Sequence, residues 1–212
     1  MQETLNLVDR AGKRIGAMEK IAAHRAGELH EAFSIFIFNS RGEWLLQKRS
    51  RRKYHSAGLW SNACCGHPRA GELLESAAHR RLREEMGFDC SLREAFALTY
   101  CVELPGGMVE HEFDHVFVGR YERDPRSDRR EASDWKWSTP SRIERDLAAA
   151  PDAYTYWFRL IFPRVAAHLA AQRKDLILRD YTPISEGIEN LARLKDERIY
   201  SITEKPLRLT GQ

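Results

Sequence analysis

Apolar positions along this chain fall into short runs broken by Gly, Pro and polar turn residues, and the period of each run predicts an element. LNLVD and RIGAME flank the turn-like DRAGK, so the chain opens on a hairpin. MEKIAAHRAG reads as a short helix stopped by Gly27. AFSIFIFN is β-rich, NSRG makes a turn and EWLLQKR returns, which predicts a second hairpin. In GELLESAAHRRLREEMGF the residues Leu74, Ala78, Leu82 and Met86 fall four apart, giving a helix with one apolar face that Gly87 closes. AFALTYCVEL and MVEHEFDHVFVGRYE, joined by PGG, predict a third and longer hairpin. DWKWSTP is one more short strand, SRIERDLAAA a helix, and AYTYWFRLIFPRVAAHLAAQ another, with Pro163 as a point for a kink. Hairpins interleaved with helices predict an α+β (mixed α/β) fold rather than repeated βαβ units. Residues 1–173 form the expected domain. The charged segment 174–212, with one helical pattern from Ile184 to Leu194, reads as an appended or partly disordered extension.

Composition narrows the function classes. The 212 residues are 31% charged and 42% hydrophobic, an ordinary balance for one globular domain. A formal charge of +3 does not require a nucleic-acid partner and suits a small anionic substrate. The basic run KRSRRKYH is short and lacks an interleaved aromatic platform, so no nucleic acid is expected. No apolar run reaches membrane-spanning length, and MQETLNLVDRAGKR has no apolar signal-peptide core, so the expected location is cytoplasmic. The four cysteines form no CxxC pair and no disulfide framework, and are read as thiols. The stretch NACCGHPRAGE, with Cys64 and Cys65 adjacent, leaves metal binding and substrate chemistry both open.

From Gly66 to Phe88 the chain reads GHPRAGELLESAAHRRLREEMGF, with Glu72 six positions after Gly66, then Arg80, Leu82, Glu84, Glu85 and Gly87. This resembles the Nudix box, whose loop–helix–loop holds divalent metal against a diphosphate through carboxylate oxygens. Glutamates on a helix are otherwise a solvated face; the two glycines at this spacing argue against that. The chain departs from the family at Arg81, where hydrolysing members carry a metal-ligating Glu beside the box arginine. A guanidinium there grips phosphate instead, which points away from hydrolysis. Outside the box, His24, His30 and His67 accompany Glu110 and Glu112, whose i, i+2 spacing puts both carboxylates on one face of a strand. Three imidazoles and two carboxylates suit Mn²⁺, Zn²⁺ or Mg²⁺. His55, His79, His111, His115 and His168 are read as ordinary polar residues.

EKIAAH, LHEAF, LLQKRSRRKYHSAGLWSN, CCGHP, the modified box, TY, VEHE and YTYWF, in that order, resemble the type I isopentenyl-diphosphate isomerases, a Nudix-fold family. The resemblance runs from Leu5 to about Gln172 and leaves the extension out. It implies a 1,3 proton shift through a tertiary carbocation, in which Cys65 is the catalytic cysteine and Glu112 the opposing acid/base. Tyr100 would hydrogen-bond near the acid, and Trp157 would lay its ring against the cation. His24, His30, His67, Glu110 and Glu112 would hold one metal. Glu85 with the Cys65 carbonyl would hold a Mg²⁺ bridging the diphosphate, and Lys20, Arg49, Lys53 and Arg81 would clamp the phosphates. The alternatives are a Nudix diphosphohydrolase and a metal-dependent binding or regulatory protein. The oligomeric state, monomer or homodimer, is left open.

Overall fold

The computed structural model describes residues 3–172 and the backbone of residues 199–205. The expected helix at Ile184 to Leu194 lies outside the described residues. The opening hairpin forms from β1 (Thr4–Val8) and β2 (Arg14–Glu19), followed by helix α1 (Lys20–Ala26). Glu19 caps α1 by accepting from the Ile21 and Ala22 amides, and Gly27 ends it in the left-handed conformation. Then come β3 (His30–Phe38), β4 (Trp44–Arg49), the two short strands β5 (Trp60–Ser61) and β6 (Cys64–Gly66), and helix α2 (Leu74–Met86). The long hairpin is β7 (Leu92–Leu104) and β8 (Met108–Arg120). After it follow β9 (Ala132–Ser138), α3 (Pro140–Ala149) and α4 (Tyr156–Gln172). Pro163 is accommodated inside α4, which runs on through it. A last strand, β10 (Ile199–Lys205), adds to the free edge of β7.

β3 is the axis of the molecule. All nine of its residues are buried, and its side chains alternate between two cores. Phe36 and Phe38 face α3 and α4, joining Trp44, Leu46, Phe158 and Phe162. Phe33, Ile35 and Ile37 face α2, joining Leu45, Cys64, Leu82 and Met86. The sheet is therefore covered by helices on both faces. Along one edge β3 pairs in parallel with β8, from His30 opposite Glu112 to Phe38 opposite Arg120. Its other edge is shared by β1, β6 and the first residue of β4.

The second hairpin is formed only at its turn. β4 meets β3 at the single pair Phe38–Trp44 and then diverges to pair with β5 and β9. The reason is that β6 occupies β3 opposite residues 33–35. The expected α2 face is the one that packs: Ala78, Leu82 and Met86 are buried, Leu74 is half-buried against the same core, and Ala77 and Glu85 widen the buried stripe. A strict four-residue step drifts slightly off a helix face of period 3.6, so the first residue of the stripe, Leu74, sits at the margin of the core. Gly87 is required where it stands. At φ 72, a Cβ there would lie 2.3 Å from the Arg126 carbonyl oxygen.

Leu82 has no exposure and lies at the centre of the α2 core. Leu82→Ala is expected to cost about 2–5 kcal/mol of unfolding free energy, whereas Leu73→Ala, at a 72% exposed position, stays within about 0.5 kcal/mol. Urea denaturation of the two variants checks the contrast. Among the described residues no helix is long and apolar enough to cross a membrane.

Candidate active site

Three adjacent strands set one row of the site. Tyr100 on β7 lies opposite Glu112 on β8, which lies opposite His30 on β3. Cross-strand neighbours of this kind stand on the same sheet face, so three residues remote in sequence meet by register alone. Glu110, two residues before Glu112, shares that face, and His111 between them turns the other way to bond the Gly27 carbonyl at 2.8 Å. Helix α1 adds His24, and His67 follows β6.

The donor atoms of His24, His30, His67, Glu110 and Glu112 all lie within 4.8 Å of one another, and all five residues are buried. His24 Nδ1 donates to the Lys20 carbonyl at 2.7 Å, and His30 Nδ1 donates to the Glu28 carbonyl at 2.8 Å. A carbonyl only accepts, so the neutral form of each ring carries its lone pair on Nε2, the atom facing the cluster. His30 Nε2 and Glu110 Oε2 are buried without a hydrogen-bond partner. Burial holds the His67 imidazolium down to about 4 despite the Glu112 carboxylate beside it, so this ring is neutral near pH 7. Burial and the adjacent Glu110 charge push the Glu112 carboxyl upward, but the His30 and His67 imidazoles beside it outweigh them and hold it below its usual value. Imidazole nitrogens, carboxylates and orphaned donor atoms converging on one point fit a divalent cation. His30→Ala is expected to weaken that cation's affinity by more than about 10²-fold, the upper range for losing even an outer-shell partner. Metal content after dialysis, measured by mass spectrometry, checks this.

In front of the cluster opens a cavity of about 300 Å³. Its lining includes Cys65, His67, Glu85, Glu110, Glu112 and Trp157, with Lys20, Arg49, Lys53 and Arg81 as cations. Gly66 lets the backbone pass close by, since a Cβ there would lie 3.0 Å from the Phe33 ring and 3.1 Å from Arg81 Cγ. Below it, Arg80 grips Glu72 with two bonds of 2.7 Å, and Glu72 also accepts from the Arg69 amide at 2.9 Å. This fork-to-fork pair ties the loop after β6 to α2. Glu85 is buried between Gln47 Nε2, at 2.7 Å, and Arg81. Arg81 reaches Glu84 at 2.7 Å and Glu131 at 2.9 Å as well.

Cys65 is half-buried beside Ser34, its register partner on β3, with Oγ and Sγ 3.7 Å apart. Burial first and the Asp114 charge second push its thiol up to about 12, so it rests protonated. Tyr100 Oη donates to Glu112 Oε2 at 2.5 Å. The Arg49 guanidinium lies over the Trp157 ring at 5.0 Å.

Every site residue named from the sequence is thus brought to one place. Ten of them line the cavity, and His24, His30 and Tyr100 stand behind it on Glu110 and Glu112. Two functional neighbours were missed. His55, read above as an ordinary polar residue, is buried in the site with Nε2 2.8 Å from Glu110 Oε1. Glu131 pins both Lys53 and Arg81, and Lys20 is likewise held by Glu3 at 2.9 Å. No motif carries Glu131. His55 closes the basic run KRSRRKYH inside the motif LLQKRSRRKYHSAGLWSN, and that position was the available signal.

The NUDIX domain model matches residues 28–158. In a solved neighbour, a crystal structure from Deinococcus radiodurans, 90% of the chain superposes on 69% of this one with a TM-score of 0.59 at 24% identity, a likeness of fold alone. The chain belongs to the NUDIX domain family. Two curated relatives refine this. Isopentenyl-diphosphate Delta-isomerase 2 of Photorhabdus laumondii subsp. laumondii is 52% identical over 161 residues, covering 76% of this chain and 91% of its own. Isopentenyl-diphosphate Delta-isomerase of Serratia proteamaculans is 46% identical over 168 residues, covering 79% and 94%. Within the NUDIX family, the chain belongs to the isopentenyl-diphosphate Delta-isomerases.

Proposed function

We propose that the protein interconverts isopentenyl diphosphate and dimethylallyl diphosphate, supplying precursors for isoprenoid synthesis. The observation that carries this reading is one cavity lined by Cys65, Glu112 and Trp157 together with Lys20, Arg49, Lys53 and Arg81. A carbon–carbon double bond is a very weak base, so its protonation needs a positioned acid, a positioned base and exclusion of water. Cys65 and Glu112 form that pair. One gives a proton to the terminal alkene carbon, leaving a tertiary carbocation. The other takes a proton from the carbon next to the cation, and the double bond re-forms one position along. Tyr100, donating to Glu112, orients the carboxyl group and supports its charged form. The Trp157 ring offers a π face to the cation, worth up to about 2 kcal/mol when desolvated.

His24, His30, His67, Glu110 and Glu112 would hold one divalent ion, Mn²⁺, Zn²⁺ or Mg²⁺, and Glu85 with the Cys65 carbonyl would hold a Mg²⁺. When bound, these ions supply positive charge beside Glu112 and against the diphosphate oxygens. Lys20, Arg49, Lys53 and Arg81 bind the diphosphate. The carboxylates that pair three of them keep these side chains extended toward the cavity before substrate arrives. With Arg81 on α2 engaged by Glu84, Glu85 and Glu131, the box grips phosphate and lacks the carboxylate that hydrolysing members use. All of this machinery lies between Lys20 and Trp157, within the domain 1–173, and the substrate partner is a small anion.

Incubating the protein with isopentenyl diphosphate and Mg²⁺ in D₂O, followed by NMR, tests the reading. Deuterium-labelled dimethylallyl diphosphate is the expected product. Release of free phosphate would make the protein a diphosphohydrolase, and unchanged substrate would make it a binding protein.

A further inference from the structure

Behind the cavity wall, three hydrogen bonds join Trp157 to Cys65 through the side chains of Ser61 and Asn62. Asn62 is fully buried, and its amide nitrogen donates to the Ile35 and Cys64 carbonyls at 3.1 and 2.8 Å. Carbonyls only accept, so these bonds fix which end of the amide carries NH₂ and turn Oδ1 the opposite way. Oδ1 then accepts from Cys65 Sγ–H at 3.2 Å and from Ser61 Oγ–H at 2.9 Å. The single Ser61 proton is committed to Asn62, so its oxygen accepts from Trp157 Nε1–H at 2.9 Å and from the Thr155 hydroxyl at 3.1 Å. An indole N–H only donates, so every proton in this chain has one direction. All the hydrogen-bonding capacity of the Asn62 amide is used, in a site without exposure, where an unmade bond is costly.

We propose that Asn62 is a positioning residue for the isomerisation, holding the Cys65 thiol directly and the Trp157 ring through Ser61 as one rigid unit. This rests on the reading above, in which Cys65 moves a substrate proton and Trp157 faces the cation. Those two groups must flank the same few substrate atoms, and a displacement of about 1 Å costs about 10²-fold in rate. Separate elements carry them: Cys65 sits on β6 and Trp157 on α4. Asn62 and Ser61 are the polar side chains that couple the two.

The test combines kinetics with the indole N–H NMR signal of Trp157, assigned by its absence in Trp157→Phe. Asn62→Ala and Ser61→Ala are expected to lower kcat by about 10²-fold with KM close to wild type, the signature of misplacement rather than lost binding. Both are expected to shift the Trp157 indole proton upfield, although Asn62 does not touch that ring. Ser61→Thr, which keeps the hydroxyl, restores kcat and the signal. A folded Ser61→Ala variant with wild-type kcat overturns the proposal, and so does an indole signal indifferent to both substitutions. Should Asn62→Ala fail to fold, Ser61→Ala and its threonine rescue decide alone. Wild-type protein that does not isomerise isopentenyl diphosphate overturns the functional reading instead, while the indole signal still decides whether the coupled chain exists.

Discussion

Cys65→Ala is expected to reduce turnover by about 10⁴-fold or more, the upper range for loss of a positioned acid or base. Substrate affinity should stay within a few-fold, because the sulfur contributes nothing to the cationic wall formed by Lys20, Arg49, Lys53 and Arg81. The neighbouring cysteine provides the control. Cys64 is fully buried among Ile35, Ala78 and Leu82 on the α2 side of the sheet, with its thiol pushed well above the usual range by burial. Strand alternation at β6 explains the difference, since successive side chains point to opposite faces and only the second cysteine reaches the cavity. Cys64→Ala should therefore cost stability while leaving kcat within a few-fold. Single-turnover rates and calorimetric binding of isopentenyl diphosphate separate the two. If Cys64→Ala lost as much turnover as Cys65→Ala, the division of labour within the pair would be wrong.

What could be read without coordinates was what local spacing encodes. The i, i+2 step placed Glu110 and Glu112 on one face because a strand repeats every two residues. Gly27 and Gly87 marked helix ends because only glycine adopts their left-handed conformation without strain. The residues that gather at the cavity were legible through the ordered motifs around them. What stayed hidden was the pairing of segments far apart. The parallel β3–β8 ladder joins residues about eighty positions apart and leaves no periodic trace, yet it alone brings His30 beside Glu112. The departure of β4 from β3 depends on β6 occupying that edge, a competition that neither segment displays by itself. His55 looked ordinary because its partner, Glu110, comes from a strand that no local pattern connects to it. Glu131 was invisible for a different reason: its role is to neutralise two cations that are themselves non-adjacent. Buried Glu85 interrupts the apolar face of α2, and its cost is offset by Gln47 and Arg81 rather than by anything in the helical period.

Glu112→Gln should be nearly as damaging as loss of the thiol, and for two separable reasons. The amide is nearly the same shape and can still accept from Tyr100, but it cannot give or take a proton in the reaction. It also removes one negative charge from the cluster, where Glu112 Oε1 lies 3.0 Å from His67 Nε2 and 3.7 Å from His30 Nε2. The first loss predicts a fall in turnover of about 10³- to 10⁴-fold; the second predicts weaker metal binding, by about 10- to 100-fold. Glu110→Gln separates them. Glu110 shares the cluster and contacts His24 and His55, at 3.4 and 2.8 Å, and the proposed mechanism gives it no proton to move. Both variants should lose metal on dialysis. Excess divalent cation should then restore most of the activity of Glu110→Gln and almost none of that of Glu112→Gln. Equal rescue of the two would reduce Glu112 to a metal ligand and leave the proton transfer opposite Cys65 to another group. Failure of both to respond, with metal shown to be bound, would mean that Glu110 also takes part in the chemistry. The asymmetry is expected because Glu112, unlike Glu110, lies between Tyr100 and the clustered histidines, where one carboxylate meets both the phenol donor and the cluster.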